Sequence, residues 1–332
     1  MILVTGGTGL LGSHLLFQLT EQNTPIKAFF RNKEKCKNTL KIFLHYDPVN
    51  GQNRFNLINW VECDVLDVVT LYEEMKGCKY VYHCAAIVSF HKADFYDMMK
   101  TNRQGTANVV NACLEHNIIK LCYVSSTAAI GGEGELIISE ETKWKQSPTT
   151  SGYSISKYSA EKEVWRGVEE GLDVVIVNPC VIIGAGDWNE SSLTIFKTIS
   201  NGFKFYTNGA NAFVDVRDIS DIMIQLMESE LKNERYLCTG ENTSFKTLFD
   251  TIALKLNKKA PTILIQPWLM GLTWRFIWLF AKLIGKKSAI TRETARSAFG
   301  TTKYDNSKIS TTLNFKFRSL NEMVENAVKG RI

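Results

Sequence analysis

The chain opens with Met1-Ile-Leu-Val-Thr-Gly-Gly-Thr-Gly-Leu-Leu-Gly12, and no other stretch constrains its fold as strongly. The apolar run Ile2–Val4 ends in Thr5, and glycines follow at positions 6, 9 and 12. Leu10, Leu11, Leu15, Leu16 and Leu19 then repeat at helical spacing. A buried strand, a tight turn and a helix N-terminus therefore come in immediate succession. The exposed backbone N–H groups and positive dipole end of such a helix suit a dinucleotide pyrophosphate. Gly6 is expected to make the sharp turn, Gly9 to admit the phosphate and Gly12 to pack helix on strand. The spacing is GxxGxxG rather than GxGxxG, and its place after the first strand is what favours a dinucleotide site over a structural turn. Gly6, Thr8, Gly9, Leu10, Leu11 and Gly12 are the expected contacts.

Beyond this turn, strand-like and helix-like segments alternate. Ile26–Phe30, Leu57–Glu62, Tyr80–Cys84, Leu121–Ser125 and Val174–Asn178 read as short buried strands. Val68–Met75, Asp94–His116 and Ser154–Glu170 read as the helices between them. The expected fold class is α/β: a Rossmann, doubly wound parallel sheet with right-handed crossovers. After Pro179 the rhythm fails. Residues 1–179 and 212–240 are expected to form the dinucleotide-binding domain, with a last strand and helix around Ala212–Glu228. Residues 180–211 and 241–332 are expected to form a small, split substrate-binding domain. A length of 332 residues, 45% of them hydrophobic, is enough for both.

The net charge of +5 is mild, and no long basic run interleaved with aromatics points to nucleic acid. The eight cysteines form no CxxC pair and mostly sit in apolar segments, as free thiols of a reducing compartment do. With the first strand beginning at Met1, no signal peptide is expected, and the cytoplasm is the expected location. Five histidines and scattered cysteines show no metal-ligand spacing, so no metal is expected. His14 and His83 read as packing residues.

A second segment carries chemistry. Val124-Ser-Ser-Thr127 is followed by Tyr153-Ser-Ile-Ser-Lys157. Tyr-x-x-x-Lys is weak by itself, since it also occurs at Tyr72/Lys76, Tyr96/Lys100, Tyr158/Lys162 and Tyr304/Lys308. Context selects Tyr153/Lys157, which lies between the Ser/Thr strand end and Asn178-Pro179, with Ser156 before the lysine and Ala160-Glu161 after it. Tyr158/Lys162 would lie on another helix face.

Thr5–Gly12, His83-Cys-Ala-Ala86, Asn102-Arg-Gln-Gly-Thr106, Ser125-Ser-Thr127, Tyr153–Glu161, Asn178-Pro179 and Phe213-Val-Asp-Val-Arg-Asp218 occur in this order. Together they resemble an extended short-chain dehydrogenase/reductase of the NAD-dependent epimerase/dehydratase superfamily. The resemblance spans residues 1 to about 228 and leans toward the dihydroflavonol-4-reductase and 3β-hydroxysteroid dehydrogenase-like branches. It implies that Tyr153 is the general acid/base and that Lys157 supports it and holds the nicotinamide ribose. It also implies that Thr127 bonds the substrate oxygen, with Ser126 as the alternative, and that Asn102 supports the site. Asp64, Val65, Ala85, Ala86, Pro179 and Val181 complete the implied cofactor contacts. The chemistry agrees: an ammonium roughly 4 Å from the phenolate oxygen contributes about 4 kcal/mol at an effective dielectric near 20. That is enough to bring a tyrosine from about 10 to around 7.

Cofactor choice turns on the end of the second strand. An Asp or Glu there would bind both adenosine-ribose hydroxyls, but this chain has Phe30, followed by Arg31, Lys33 and Lys35. A guanidinium grips a 2′-phosphate through two hydrogen bonds, so Arg31 and Lys35 favour NADP(H), with NAD(H) left open. Two departures narrow the substrate. Ala128-Ala129 stand where sugar dehydratases carry Asp-Glu, and Asn211 stands where nucleotide-sugar epimerases carry an arginine.

The expected reaction interconverts a ketone and a secondary alcohol on a moderately apolar small molecule. A sugar epimerase with retained cofactor and a non-catalytic cofactor-sensing regulator or assembly factor are the alternatives; the intact Tyr153/Lys157 pair argues for catalysis. The aromatic segment Ile263–Lys287, with Trp268, Trp274, Trp278 and Phe280, reads as a substrate lid. A homodimer surface and in-plane membrane attachment are the competing readings of it.

Overall fold

The computed structural model describes residues 1–332 except 23, 133–134, 272, 276–287 and 289–290. Its strands are β1 (Ile2–Thr5), β2 (Ile26–Phe30), β3 (Ile58–Glu62), β4 (Tyr80–His83), β5 (Lys120–Val124), β6 (Val174–Pro179), β7 (Val181–Ile183), β8 (Phe205–Tyr206), β9 (Ala210–Asp215), β10 (Glu234–Cys238), β11 (Glu241–Ser244) and β12 (Ile263–Leu264). The helices that frame the site are α1 (Leu10–Leu19), α2 (Glu34–Tyr46), α3 (Gly51–Asn56), α4 (Val68–Met75), α5 (Phe95–Met98), α6 (Gly105–Glu115), α7 (Gly152–Glu169), α8 (Thr194–Ser200) and α9 (Val216–Glu228).

Seven parallel strands form the main sheet in the order β3-β2-β1-β4-β5-β6-β10. The period-2 alternation of apolar residues explains why both faces are covered. Ile2 and Val4 of β1, with Val175 and Val177 of β6, pack under α1 and α9. Leu3, Val174 and Ile176 point the other way, into a core closed by α4, α6 and α7. Chain direction reverses its progress across the sheet between β1 and β4, so the turns after these strands border one crevice at the carboxyl edge.

Two features depart from the sequence expectation. The strand at Ala210–Asp215 runs in a separate three-stranded sheet, parallel to β7 and antiparallel to β11. The seventh main strand is β10, whose buried Tyr236, Leu237 and Cys238 take the free edge of β6. Helix α9 does pack on the main core, as expected. Secondly, two helices that the sequence reading does not include, α2 and α3, lie between β2 and β3, and Glu34–Lys37 of the basic run opens α2. Only Thr39, Ile42 and Phe43 of α2 are buried, a narrow stripe in a largely polar helix that leaves little periodic signal.

The smaller part has its own core, in which Ile183, Phe196, Phe213, Leu248, Ile252 and Met323 meet. Among the described residues, no helix is long and apolar enough to cross a membrane. Trp268 is two-thirds exposed, and the Arg275 guanidinium lies over the Trp274 ring. Trp278, Phe280 and most of the proposed lid lie outside the described residues.

Candidate active site

The glycine-rich turn is built as its spacing requires. Gly6 has φ +68°, and a Cβ there would come within 2.7 Å of the Ala85 amide nitrogen, at the end of the neighbouring strand β4. A Cβ at Gly12 would lie 2.2 Å from the Gly6 carbonyl oxygen, so α1 sits directly on the turn. Gly9 differs: it is exposed, and a Cβ would meet only the Gly6 oxygen, at 3.4 Å. Nothing in the protein itself demands a glycine at position 9, and the absent side chain leaves the start of α1 uncovered. Gly9 caps α1, whose first-turn N–H groups have no intrahelical partners and whose first turn carries no acid. Thr8 and Leu10 are half-buried beside it. These features fit a dinucleotide pyrophosphate, which would be held by the turn Gly6–Gly12.

The flanks of this turn hold the other expected cofactor contacts. Ala85 N donates to Thr5 Oγ1 at 3.3 Å, which fixes the Ala85-Ala86 segment against the turn. Val65 is buried under α6, where a Cβ at Gly105 would clash with it, and its carbonyl accepts from Asn108 Nδ2 at 2.9 Å. Arg31 is half exposed, with its guanidinium 3.6 Å from Asp64. Lys35 lies 2.8 Å from Glu190. Each cation therefore stands beside a carboxylate, Arg31 next to the residue pair after β3 and Lys35 next to the segment between β7 and α8. Pro179 ends β6 and Val181 begins β7.

Helix α7 carries Tyr153 and Lys157, the pair expected to act as acid and base. Ser151 caps it by accepting from Ser154 N at 3.0 Å, which fixes where its first turn begins. Tyr153 is partly buried, its phenol beside Ser126 and its ring edge-on to Phe90, with centroids 5.9 Å apart. Burial raises its proton affinity above the usual tyrosine value, and the nearby Ser126 hydroxyl opposes that. This corrects the expectation of a phenol lowered toward 7. The ammonium of Lys157 is engaged elsewhere: it donates to Val124 O at 2.8 Å and to Tyr123 Oη at 3.0 Å. Lys157 is only 2% exposed, and burial brings it down to about 8 despite the nearby Glu161 carboxylate.

The turn after β5 divides the two hydroxyls that the sequence left as alternatives. Ser126 is the one beside the Tyr153 phenol. Thr127 is buried and lies beside the Tyr304 phenol. Tyr304, set aside in the sequence as one of the incidental Tyr-x-x-x-Lys pairs, packs its ring on Ile130, Ile138 and Leu237. Its backbone is pinned by Asn242, which donates to Tyr304 O and accepts from Tyr304 N, both at 2.9 Å. Its partner in that pattern, Lys308, pairs with Glu234. No local sequence signal points to Tyr304, because its partners come from β5, β10 and the segment around Ile138.

Asn102 lies in a π-helical turn, Met99–Gln104, of the kind that often marks functional segments. It clamps Ile87 by accepting from its N–H at 2.7 Å and donating to its carbonyl at 2.9 Å, and it donates to Ser156 Oγ at 3.0 Å. Its role here is to join the segment after β4 to α7. Glu161 makes a second clamp: its buried carboxylate accepts from Ser125, Asn178 and Arg235 and so locks α7 to β5, β6 and β10.

Comparison with known proteins agrees with this geometry. Residues 2–238 match the NAD dependent epimerase/dehydratase family. The chain is 29% identical, over 98% of its length and 92% of the relative's, to a Synechocystis sp. protein that bears the name of a dihydroflavonol 4-reductase. It is 31% identical to cinnamoyl-CoA reductase 1 of Petunia hybrida, covering 72% of each chain. Among solved structures, gox2253 superposes with a TM-score of 0.80 at 25% identity, over 99% of this chain and 97% of that one. Members of the family are NAD(P)-dependent enzymes acting on CH–OH groups. With its parallel sheet, its glycine turn and a family match over most of its length, this chain belongs to the NAD-dependent epimerase/dehydratase family.

Proposed function

We propose that the protein is an NADP-dependent reductase that interconverts a ketone and a secondary alcohol on a moderately apolar small molecule. The observation that carries this reading is Tyr153, one turn before Lys157 on α7, with its phenol near Ser126 and its ring against Phe90. Reduction of a carbonyl needs a hydride at carbon and a proton at oxygen. The reduced nicotinamide supplies the hydride when bound. Tyr153 is placed to give the proton, with the Ser126 hydroxyl beside it, and Lys157, whose ammonium faces β5, would hold the nicotinamide ribose. A phenol held high by burial is a reluctant base but a competent donor once the substrate oxygen takes negative charge. Thr127, beside Tyr304, completes the polar side of the site. Phe90 lines the apolar side, which suits a ring or hydrocarbon substituent better than a sugar.

Arg31 and Lys35 would hold the 2′-phosphate, and Phe30, 9% exposed at the end of β2, offers no carboxylate to repel it. Residues 180–211 and 241–332 are assigned to substrate binding. Asn211 supports a simple carbonyl substrate over a nucleotide sugar: its side chain accepts from the Ala212 amide at 2.8 Å and offers no positive charge for a diphosphate.

The test is purified protein with a panel of aromatic and alicyclic ketones, followed by NADPH and NADH absorbance, together with mass spectrometry of any copurified dinucleotide. Net turnover with exchangeable NADPH is the expected result. A tightly retained dinucleotide without net turnover would establish the epimerase reading instead, and dinucleotide binding without any turnover would establish a sensor.

A further inference from the structure

Lys35, on the first turn of α2, is held by a carboxylate that comes from the smaller part of the molecule. Its Nζ donates to Glu190 Oε1 at 2.8 Å, and both side chains are about half exposed. Glu190 ends the loop 184–190, which follows β7 and leads toward α8.

That loop is anchored on its own side. Gly186 N donates to Gly330 O at 2.9 Å, and the buried Trp188 indole donates to Ala327 O, on the C-terminal helix Leu320–Lys329, at 3.2 Å. The Arg331 guanidinium lies over the Trp188 ring. Glu190 N donates back to Asp187 O at 3.0 Å. The Asp187 carboxylate accepts from both the backbone and the side-chain amide of Asn189, so it serves the loop itself. Glu190 is the carboxylate of this loop that reaches α2. The loop also meets the glycine turn, since a Cβ on Gly186 would lie 3.0 Å from Leu10 Cδ1, at the start of α1. One anchored loop thus touches both the helix start expected to hold the pyrophosphate and the lysine expected to hold the 2′-phosphate.

We infer that Glu190 is a specificity residue that competes with the 2′-phosphate of NADP(H) for Lys35. The inference rests on the proposed NADP preference and deepens it. An exposed ion pair is weak. A phosphate brings more negative charge and more acceptor oxygens than a carboxylate, so it takes Lys35 from Glu190. The displaced carboxylate must then share the surroundings of Lys35 with a group of like charge, which weakens NADP(H) binding and speeds its release. NAD(H) has a neutral hydroxyl in place of that phosphate and leaves the pair intact. Glu190 therefore keeps NADP(H) exchangeable, as net reduction of one substrate after another requires.

The experiment measures NADP⁺ and NAD⁺ affinity by calorimetry at low ionic strength in the wild type, Glu190→Gln, Lys35→Ala and the double variant. Stopped-flow displacement of NADPH gives the release rate. Neither side chain is buried, so the fold is retained. Glu190→Gln should bind NADP⁺ about three- to fivefold more tightly and release NADPH more slowly, with NAD⁺ affinity unchanged. High salt should shrink that gain, because the charges are exposed. Lys35→Ala should weaken NADP⁺ about fivefold, and adding Glu190→Gln to it should recover less than about twofold.

Unchanged NADP⁺ affinity in Glu190→Gln overturns the competition. A full gain in the Lys35→Ala background also overturns it, because Glu190 would then act without Lys35. An equal gain for NAD⁺ overturns the specificity role. Should Lys35→Ala by itself leave NADP⁺ affinity unchanged, the placing of the 2′-phosphate on Lys35 fails, a result read without any change at Glu190.

Discussion

Lys157 should cost the protein stability at neutral pH, and replacing it should make the fold stronger while stopping the chemistry. The lysine is 2% exposed and titrates near 8 instead of 10.5. At about 1.4 kcal/mol per tenfold change in proton affinity, that fall costs the folded state about 3 kcal/mol at pH 7. Between about pH 8 and 10.5 the unfolded chain binds more protons at this position than the folded one, so stability rises with pH across that window. Below about 8 the cost is present in full, and above about 10.5 it is gone. Lys157→Met keeps the length of the side chain and removes the charge. It also gives up the bonds to Tyr123 Oη and Val124 O, worth about 1 kcal/mol each when made by a neutral group, partly offset by burial of the apolar methionine. The net expectation is a variant about 1–2 kcal/mol more stable than wild type at pH 7, and no more stable at pH 10.5. Urea unfolding at pH 7, 8.5 and 10, with circular dichroism as the readout, measures the difference directly. A variant less stable than wild type at pH 7, or a difference that does not shrink as the pH rises, would refute the reasoning.

Tyr153→Phe should lower turnover at least ~10²-fold while leaving dinucleotide affinity within a few-fold, since only the proton donor is lost; near-normal turnover would remove Tyr153 from the mechanism. Arg31→Ala should weaken NADP(H) by about 1.5–2 kcal/mol, the low end for a charged hydrogen bond because the side chain is half exposed, and should scarcely change NAD(H). Equal losses for the two cofactors would show Arg31 to be an ordinary surface cation. Tyr304→Phe, which removes the hydroxyl beside Thr127 and keeps the ring that packs on Ile130, Ile138 and Leu237, should lower kcat about threefold with little loss of stability; an unchanged kcat would limit Tyr304 to packing. Glu161→Ala should cost about 3–5 kcal/mol, because Arg235, Ser125 and Asn178 all lose their buried partner, and a loss under about 1 kcal/mol would dismiss the clamp.

Features encoded within one turn or one strand were legible in the sequence. The steric demands of Gly6 and Gly12 act between near neighbours, so the strand–turn–helix at residues 1–19 could be read directly. The i, i+4 spacing that stacks Tyr153 and Lys157 on one face of α7 is equally local. The parallel strands β2 to β6 were found to within a residue or so, because buried strands show as short apolar runs whatever lies beside them. Where such a run pairs is another matter. Ala210–Asp215 and Glu234–Cys238 are both strands, and only the packing of β7 away from the main sheet after Pro179 leaves the edge of β6 to the second.

The chemistry of the site depended still more on tertiary structure. Sequence spacing suggested that Lys157 would lower Tyr153; the fold turns its ammonium toward β5 and buries the phenol, and the proton affinity moves the other way. Ser126 lies nearer the Tyr153 phenol, while Thr127 is buried beside Tyr304, a residue from the far end of the chain. Thr5, His83 and Thr106 meet one another, and Tyr123 meets Lys157, only because the sheet places β1, β4 and β5 side by side under α6 and α7. The identity of the reacting groups was thus written locally, in glycines and a helical repeat. Their protonation and orientation were not, because burial and hydrogen-bond partners are properties of the packed molecule.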